Sequence, residues 1–303
     1  MNTNNNGYTI IYTTVIVIVV AAVLAVVSQT LKPNQLANEK ADVISQMMTA
    51  AQLGEKAGFE SMGNDKVLAL YSESIDVAYT VNAAGQPVDT LLTAPADQIQ
   101  IYTPSQLKAI YKLAKDGGVP EKLPVFKFKN GLTVIPVYGA GLWGPIWGYL
   151  SFDGTTFKGA FFDHESETAG LGAKIKDDPA FQHSFIDKEV LLSEEAAQFE
   201  IAKAGAHKLP ESNGIDAIAG ATMTSGGLNN AINLWLGLYK PIFEGAPAGC
   251  QHEHKACGHH EGCEGHHEGC EGQHEGCEGH DCEGQHADCD MPCCQENPKA
   301  EEE

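Results

Sequence analysis

The first 31 residues of this chain carry no charged side chain, and residues 9–27 are almost purely apolar. A helix needs about 20 such residues to cross the hydrocarbon core of a membrane, so this stretch is long enough to span one. A cleaved signal peptide is the alternative, but the basic residues that usually precede its apolar run are missing. The sequence therefore predicts a retained membrane anchor in residues 1–31, with a single span over about residues 9–28.

The charges beside this run give a weak indication of its orientation. Lys32 and Lys40 follow the apolar run, and no lysine precedes it. Because lysines near a span favour the cytoplasmic side, they mildly favour a cytoplasmic position for the rest of the chain.

The composition of the whole chain excludes some functions. Hydrophobic residues make up 43% of the 303, which is enough for a folded core. A net charge of −21 argues against a nucleic-acid partner, because neutralising phosphates requires a basic surface. All 19 basic residues are lysine, which removes bidentate arginine clamps as a way of holding a phosphate.

Strand and helix patterns are mixed between the apolar run and residue 245. Asn130-Gly131 separates two apolar strand patterns, and Asn-Gly suits the type I′ turn of a hairpin. Further strand patterns cover residues 66–81, 145–153 and 155–162, and helix patterns cover 34–53, 103–116, 193–204 and 224–239. This mixture predicts an α+β domain over residues 32–245, built on a mixed or antiparallel sheet.

Residues 246–303 have a different composition from the rest of the chain. They contain all nine cysteines and nine of the twelve histidines, and three heptads of the type HHEGCEG run through residues 259–279. Glycine-rich repeats without an apolar face cannot bury a core, so we expect a disordered low-complexity tail here unless something cross-links it.

Thiolates and imidazoles are the ligands that Zn²⁺, Ni²⁺ and Cu⁺ prefer, so the tail is a candidate transition-metal site. The paired cysteines of a structural zinc site are absent, so binding would be adaptable and spread over several sites. Two alternatives are a solubilising repeat expansion and, in an oxidising compartment, cysteines that form disulfides. The candidate ligands are Cys257, Cys263, Cys270, Cys277, His259, His266 and His274.

The sequence GIDAIAGATMTS at residues 214–225 is the second candidate site. The small residues Ala219, Gly220 and Ala221 leave the hydroxyl of Thr222 accessible just before a predicted helix. Free N–H groups and the positive end of the dipole at a helix start favour an anion. The alternative is an ordinary helix start at which threonine and serine supply the caps.

The pattern Asp-x-x-Ala-Gly-Ala-Thr-x-Thr, from Asp216 to Thr224, resembles a flavinylation motif in which serine is usual at the position of Ala219. At that motif a flavin transferase esterifies the phosphate of FMN to a threonine. The motif marks the FMN-binding domain shared by the C subunit of the Na⁺-translocating NADH:quinone oxidoreductase and the G subunit of the Rnf complex. The resemblance implies covalent FMN on Thr222, through a phosphoester, and recognition of Asp216 by the transferase.

More of the chain is similar to the same family, in the same order, over about residues 8–245. Residues 138–144 resemble the Gly-x-Gly-Leu-Trp stretch of the C subunit, and residues 164–172 resemble its His-x-Glu-Thr-Pro-Gly-Leu-Gly segment, with Ala169 in place of proline. Residues 203–205 and 233–237 also match. The Gly-Leu-Trp-Gly stretch favours the C subunit over the Rnf protein.

The resemblance also implies which other residues bind the flavin. Leu142, Trp143 and Leu171 would form an apolar slot for the ring, and Lys203 would offset the phosphate charge. The alternatives are an ordinary core position for Trp143, a solvated loop for Glu167 and a helix-terminal charge for Lys203. Besides Thr222, the candidate cofactor-binding residues are Leu142, Trp143, Glu167, Thr168, Leu171, Lys203, Gly220 and Ala221.

By this resemblance, the chain would be a membrane-anchored electron-transfer subunit that relays electrons through covalent FMN toward the quinone-reducing subunit. Its partners would be the other five subunits, with the FMN of the B subunit as acceptor, and the flavin transferase during maturation. The family places the domain on the periplasmic side of the inner membrane, which opposes the weak lysine signal. The alternatives are the G subunit of the Rnf complex and a membrane-tethered metal-binding protein, which would leave the motif unexplained.

Overall fold

A computed structural model describes residues 6–245 of the chain, beginning with one long helix, α1 (Asn6–Ala50). The predicted span and the predicted amphipathic helix are therefore parts of a single continuous helix. Residues 7–39 are exposed, and the helix first packs on the rest of the protein near Ala41. Among the described residues, α1 is the one helix long and apolar enough to cross a membrane. The predicted span, residues 9–28, extends about 30 Å along the helix, which equals the thickness of about 30 Å of a bilayer core.

Six strands form one antiparallel sheet, which confirms the predicted fold class. The strands are β1 (Ile75–Val81), β2 (Pro87–Leu91), β3 (Leu123–Phe128), β4 (Thr133–Ala140), β5 (Pro145–Asp153) and β6 (Thr156–His164). Their spatial order is β2-β1-β3-β4-β5-β6. The predicted Asn-Gly hairpin is confirmed, since it joins β3 to β4, but its turn is not of type I′. A type I′ turn needs a positive φ at both residues. Here the φ of Asn130 is not positive, and Gly131 has a φ of +86°. This left-handed conformation favours glycine.

Helices and shorter strands cover the sheet. The helices are α2 (Lys56–Met62), α3 (Asn64–Ser74), α4 (Pro104–Lys115), α5 (Lys174–Asp177), α6 (Pro179–His183) and α7 (Thr222–Gly245), with 3-10 turns at Ala96–Gln98 and Glu211–Asn213. The short strands are β7 (Leu191–Leu192), β8 (Ala197–Gln198), β9 (Glu200–Ala202) and β10 (Gly214–Asp216). Strands β9 and β10 pair in parallel, and β7 and β8 pair antiparallel.

The sheet lies between two apolar layers because side chains alternate along its strands. On one face the last turns of α1 pack with α3 on Tyr149 and Phe161. On the other face α7 packs on the neighbouring residues of the same strands, such as Leu150 and Phe162. Two buried groups of α7 bind the sheet directly: Trp235 Nε1 donates to the carbonyl of Tyr138 (2.8 Å), and Tyr239 Oη donates to the carbonyl of Pro124 (2.7 Å).

A buried polar cluster ties the end of α1 to the sheet. The Gln46 side chain, which is fully buried, donates to Asp163 (3.1 Å) and accepts from Trp147 Nε1 (3.2 Å). Asp163 also pairs with Lys176 at 2.9 Å. Burial opposes ionisation of Lys176, but the bond to Asp163 outweighs it and the pKa of Lys176 is raised. The same helix that carries the apolar run is thus part of the domain core.

Two predicted elements are wrong. Residues 66–81 do not form one strand, because Asn64–Ser74 is helix α3 and strand β1 begins at Ile75. Within α3 the buried residues Val67, Leu68 and Tyr71 follow the helical period, and this face packs on α1.

Residues 193–204 do not form a helix either. A turn follows β7, and β8 and β9 are extended, with Phe199 buried between them. Two side chains of α7 satisfy this backbone: Asn233 accepts from Phe199 N (3.0 Å) and Asn229 accepts from Ile201 N (2.8 Å). The tertiary contacts thus override the local helix propensity of the glutamates and alanines.

Glycines let α7 approach strand β4 closely. A Cβ at Gly227 would clash with the carbonyl oxygen of Ala140, and one at Gly139 would clash with Ala231. A Cβ at Gly237, in the same helix as Gly227, would meet nothing within 4 Å. The two helical glycines therefore form a matched pair of test positions.

We expect Gly227→Ala to lower the free energy of unfolding by about 1–3 kcal/mol, because the added methyl group overpacks a backbone contact. Gly237→Ala should raise it by about 0.5–1 kcal/mol, because alanine costs less entropy than glycine in a helix. Urea unfolding of the detergent-solubilised protein, followed by tryptophan fluorescence, measures both values. Equal effects of the two substitutions would contradict the close packing of α7 on β4.

Candidate functional site

The predicted anion-binding threonine lies at the first residue of α7. The chain turns at Gly220, whose φ is +79°, and Ala221 N donates to the carbonyl of Ile218 (3.0 Å). Ser225 Oγ accepts a hydrogen bond from Ile218 N (3.2 Å), which fastens this turn to the helix. Thr222 is exposed at the end of the turn. Its hydroxyl is thus accessible where the first N–H groups of a helix have no intrahelical partners.

The second threonine of the motif is in the opposite situation. Thr224 is 1% exposed, and its Oγ1 donates to Glu167 Oε2 at 2.6 Å. Its hydroxyl is therefore already engaged and shielded from any reagent. Of the two threonines in Ala-Thr-Met-Thr, the structure leaves Thr222 accessible.

Glu167 links three segments around Thr224. It is 7% exposed, and its Oε1 accepts a hydrogen bond from Trp143 N at 2.8 Å. A Cβ at Gly141 or at Gly172 would clash with its carboxylate oxygens. No residue larger than glycine fits at position 141 or 172, because the buried carboxylate of Glu167 lies against both positions.

A cavity of about 160 Å³ lies between these segments. Seven of the nine predicted cofactor-binding residues line it: Leu142, Glu167, Thr168, Leu171, Gly220, Ala221 and Thr222. Gly172, Met223 and Thr224 complete the lining. The structure therefore brings together three segments that are distant in the sequence, as the family resemblance implied.

Large apolar side chains stand exposed around this cavity. The exposed fractions are 48% for Leu142, 67% for Trp143, 43% for Leu171 and 66% for Met223. Sequence reasoning missed Met223, although its position next to Thr222 in the motif could have indicated it. Trp143 is not an ordinary core residue, since its indole is exposed while its backbone is bonded to Glu167.

These residues fit an FMN whose ring is partly exposed. A volume of about 160 Å³ is below the range of roughly 300–1,000 Å³ of small-molecule pockets, so the cavity would hold part of the cofactor. The exposed apolar side chains would cover the rest of a flat aromatic ring. The N–H groups at the start of α7 suit a phosphate next to the Thr222 hydroxyl.

Two predicted residues lie away from the cavity. Lys203 follows β9 and is exposed, and it is not part of the cavity lining. Asp216, at the end of β10, is bonded to His207 Nε2 at 2.9 Å and lines a separate cavity of about 660 Å³.

The other ring nitrogen of His207, Nδ1, lies 3.7 Å from Glu200 Oε2. Burial opposes ionisation of Glu200, but hydrogen bonds from the backbone N–H groups of Leu209 and Lys208 hold the pKa of Glu200 below its ordinary value.

The candidate metal ligands of the tail belong to another part of the chain. Cys257, Cys263, Cys270, Cys277, His259, His266 and His274 all lie outside the described residues. Within residues 6–245, no group of three or more histidine, cysteine, aspartate or glutamate side chains is arranged to hold a metal ion.

A sequence model of the family described as "FMN-binding domain" matches residues 141–237. The matched segment contains every residue that lines the cavity beside Thr222. The match to this family model therefore lies where the motifs predicted an FMN-binding domain.

The similarity to known proteins extends well beyond this domain. The chain is 26% identical over 255 residues to the C subunit of the Na(+)-translocating NADH-quinone reductase of Pasteurella multocida (strain Pm70), covering 78% of this chain and 92% of the relative. The C subunit from Vibrio parahaemolyticus serotype O3:K6 (strain RIMD 2210633) is 28% identical over 237 residues, covering 71% of this chain and 84% of that protein. The crystal structure of the C subunit from Parabacteroides distasonis ATCC 8503 superposes with a TM-score of 0.54 at 29% identity, covering 70% of this chain and 96% of that one. The chain is a relative of the C subunit of this oxidoreductase complex, which confirms the resemblance seen in the motifs.

Proposed function

We propose that this chain is the member of a Na⁺-translocating NADH:quinone reductase complex that carries covalent FMN on Thr222 and passes electrons through it. One observation carries the proposal: the exposed Thr222 hydroxyl stands at a helix start, beside a cavity formed by the segments that resemble those of the C subunit. The FMN-binding domain and the relatives of this complex support it.

Each part of the site has a distinct task in this proposal. Thr222 Oγ1 would be the ester oxygen that holds the FMN phosphate, and the first N–H groups of α7 would stabilise the phosphate charge. Leu142, Leu171 and Met223 would exclude water from the ring. Contact with the ring would also cover these apolar side chains, which are exposed without it. A flavin supplies one-electron chemistry, and a covalent bond to the chain prevents its loss. Lys203 has no contact in the cavity lining, so its influence on the phosphate would be long-range.

The partners and the location follow from the same assignment. The partners would be the other five subunits, with the FMN of the B subunit as the next carrier by family similarity. The flavin transferase would recognise Asp216, which opens the motif and is exposed. The apolar run of α1 would anchor the chain in the inner membrane, with the domain on the periplasmic side. The relatives support this assignment over the G subunit of the Rnf complex and over a metal-handling protein.

In-gel fluorescence of the denatured protein tests this function. The chain is produced together with a flavin transferase, denatured in SDS, separated and viewed under ultraviolet light. A fluorescent band at the mass of the chain is expected, because covalently bound flavin survives denaturation. A dark band, beside a fluorescent band from a known substrate of the same transferase, would overturn the proposal.

We propose separately that the tail binds several transition-metal ions that electron transfer does not need. Thiolates and imidazoles are suitable ligands, glycines let the chain wrap an ion, and the carboxylates attract cations over a distance. Fixing a chain segment around an ion costs conformational entropy, which would lower the affinity of each site.

Truncation after Gly245 should remove the bound metal and leave flavin content and quinone reduction unchanged. Metal analysis of the reduced full-length and truncated proteins, equilibrated with Zn²⁺, Ni²⁺ or Cu⁺ at neutral pH, measures the difference. Binding through histidines should weaken below about pH 6, as imidazoles become protonated. Equal metal content in the two proteins would show that the tail is only a solvated low-complexity segment.

A further inference from the structure

Residues 141–144 form a small flap beside Thr222, and its backbone is held from several directions. Gly141 N donates to the carbonyl of Gly144 (2.8 Å), which closes the flap as a turn. Trp143 N donates to Glu167 Oε1 (2.8 Å), and Ser166 Oγ donates to the carbonyl of Trp143 (3.1 Å). The backbone of Trp143 is thus bound on both sides, while its side chain is 67% exposed.

The other oxygen of Glu167 joins this flap to α7. Glu167 Oε2 accepts the hydrogen bond from Thr224 Oγ1 (2.6 Å), and both residues are buried. One carboxylate therefore bridges the flap and the first turn of the helix that bears Thr222. The geometry is specific, because glycines at 141 and 172 leave just enough space for this side chain.

Burying a carboxylate costs free energy unless its oxygens are hydrogen-bonded. Each of its oxygens must be satisfied, and losing one partner leaves a buried donor or acceptor unpaired. A hydrophobic residue would fill the same space without this requirement. Packing alone therefore does not explain the carboxylate of Glu167. Its effect on Trp143 does, because the bridge holds the exposed Trp143 beside Thr222.

We propose that Glu167 is a positioning residue for the flavin: through Trp143 N and Thr224 Oγ1 it holds the flap against α7, so that the exposed apolar side chains of the flap stay beside the cavity next to Thr222. This inference rests on the proposed function, because it needs flavin on Thr222. It assigns no chemical step to Glu167. Thr224 acts through Glu167, which explains why the motif has a second, buried hydroxyl.

Acrylamide quenching of the bound flavin tests this role in the full-length protein, co-produced with the transferase. Glu167→Ala and Thr224→Val each break the bridge. Among the molecules that carry flavin, we expect both variants to raise the quenching constant about two- to fivefold, as losing a hydrogen bond shifts a closed–open equilibrium. Acrylamide is neutral, so the lost charge of Glu167 does not itself change the encounter rate.

Two control variants and a second measurement separate positioning from a general loss of structure. Thr224→Ser keeps the hydroxyl and should restore the quenching constant of the unchanged protein. Glu165→Gln removes an exposed carboxylate two residues from Glu167 and should have no effect. Fluorescence anisotropy of the flavin should fall in Glu167→Ala and Thr224→Val, well below the temperature at which either variant unfolds.

The two possible failures can be distinguished. If the unchanged protein carries no covalent flavin, the proposed function is wrong. If the unchanged protein and Thr224→Ser carry flavin on Thr222, and Thr224→Val either takes up no flavin or has the same quenching and anisotropy as Thr224→Ser, the positioning role alone is overturned. Thr224→Val decides the question even if Glu167→Ala does not fold.

Discussion

Replacing Thr222 with alanine should abolish covalent flavin completely. The substitution removes the one exposed hydroxyl of the motif, and the neighbouring Thr224 cannot replace it because it is 1% exposed and donates to Glu167. The chain should still fold and insert, since substitutions of exposed residues usually change stability by less than about 0.5 kcal/mol. In-gel fluorescence measures the flavin, and the thermal unfolding midpoint reports the fold.

Thr168→Ala is the matched control for this experiment. Thr168 is also exposed and lines the same cavity, but it lies outside the motif. Its substitution should leave the covalent flavin in place. Peptide mass spectrometry identifies the modified residue directly, and flavin found on Thr224 or Thr168 in the unchanged protein would contradict the assignment.

Protease added to intact spheroplasts should digest the domain of this chain. The N-terminus would be cytoplasmic and the residues from about 30 onward periplasmic, as the resemblance to the C subunit implies. The effect should be all or none, because a membrane either shields the domain or does not. Immunoblotting with antibodies against residues 60–245 follows the loss of the domain.

A cytoplasmic protein that survives the treatment shows that the spheroplasts are intact. Lysed spheroplasts provide the opposite control, in which the domain must be digested. Full protection in intact spheroplasts together with digestion after lysis would show that the orientation is inverted, in agreement with the two lysines that follow the span.

Local sequence patterns predicted three features of this protein: the long N-terminal helix, one hairpin and the position of Thr222. The uncharged apolar run specifies a long helix because its length and composition are local properties, and α1 contains it. Asn130-Gly131 specifies the hairpin because the turn requires a left-handed residue there. The motif around Thr222 has small residues that leave its hydroxyl exposed, and it lies directly at the start of α7.

Other features depended on contacts between distant segments and could not be read locally. The composition of residues 66–74 suits a buried strand, but packing on α1 selects a helix. Residues 197–202 favour a helix by propensity, yet Asn229 and Asn233 of α7 bind their extended backbone.

The site shows the same division. The motifs predicted Glu167 as a cofactor residue, but no local pattern could show that its carboxylate binds Thr224, 57 positions away, and Trp143. They also suggested a role for Lys203, which the fold places outside the cavity lining. Hydrogen bonds between distant segments form only when the whole chain has closed around them, so their partners are a property of the fold and not of any single stretch of sequence.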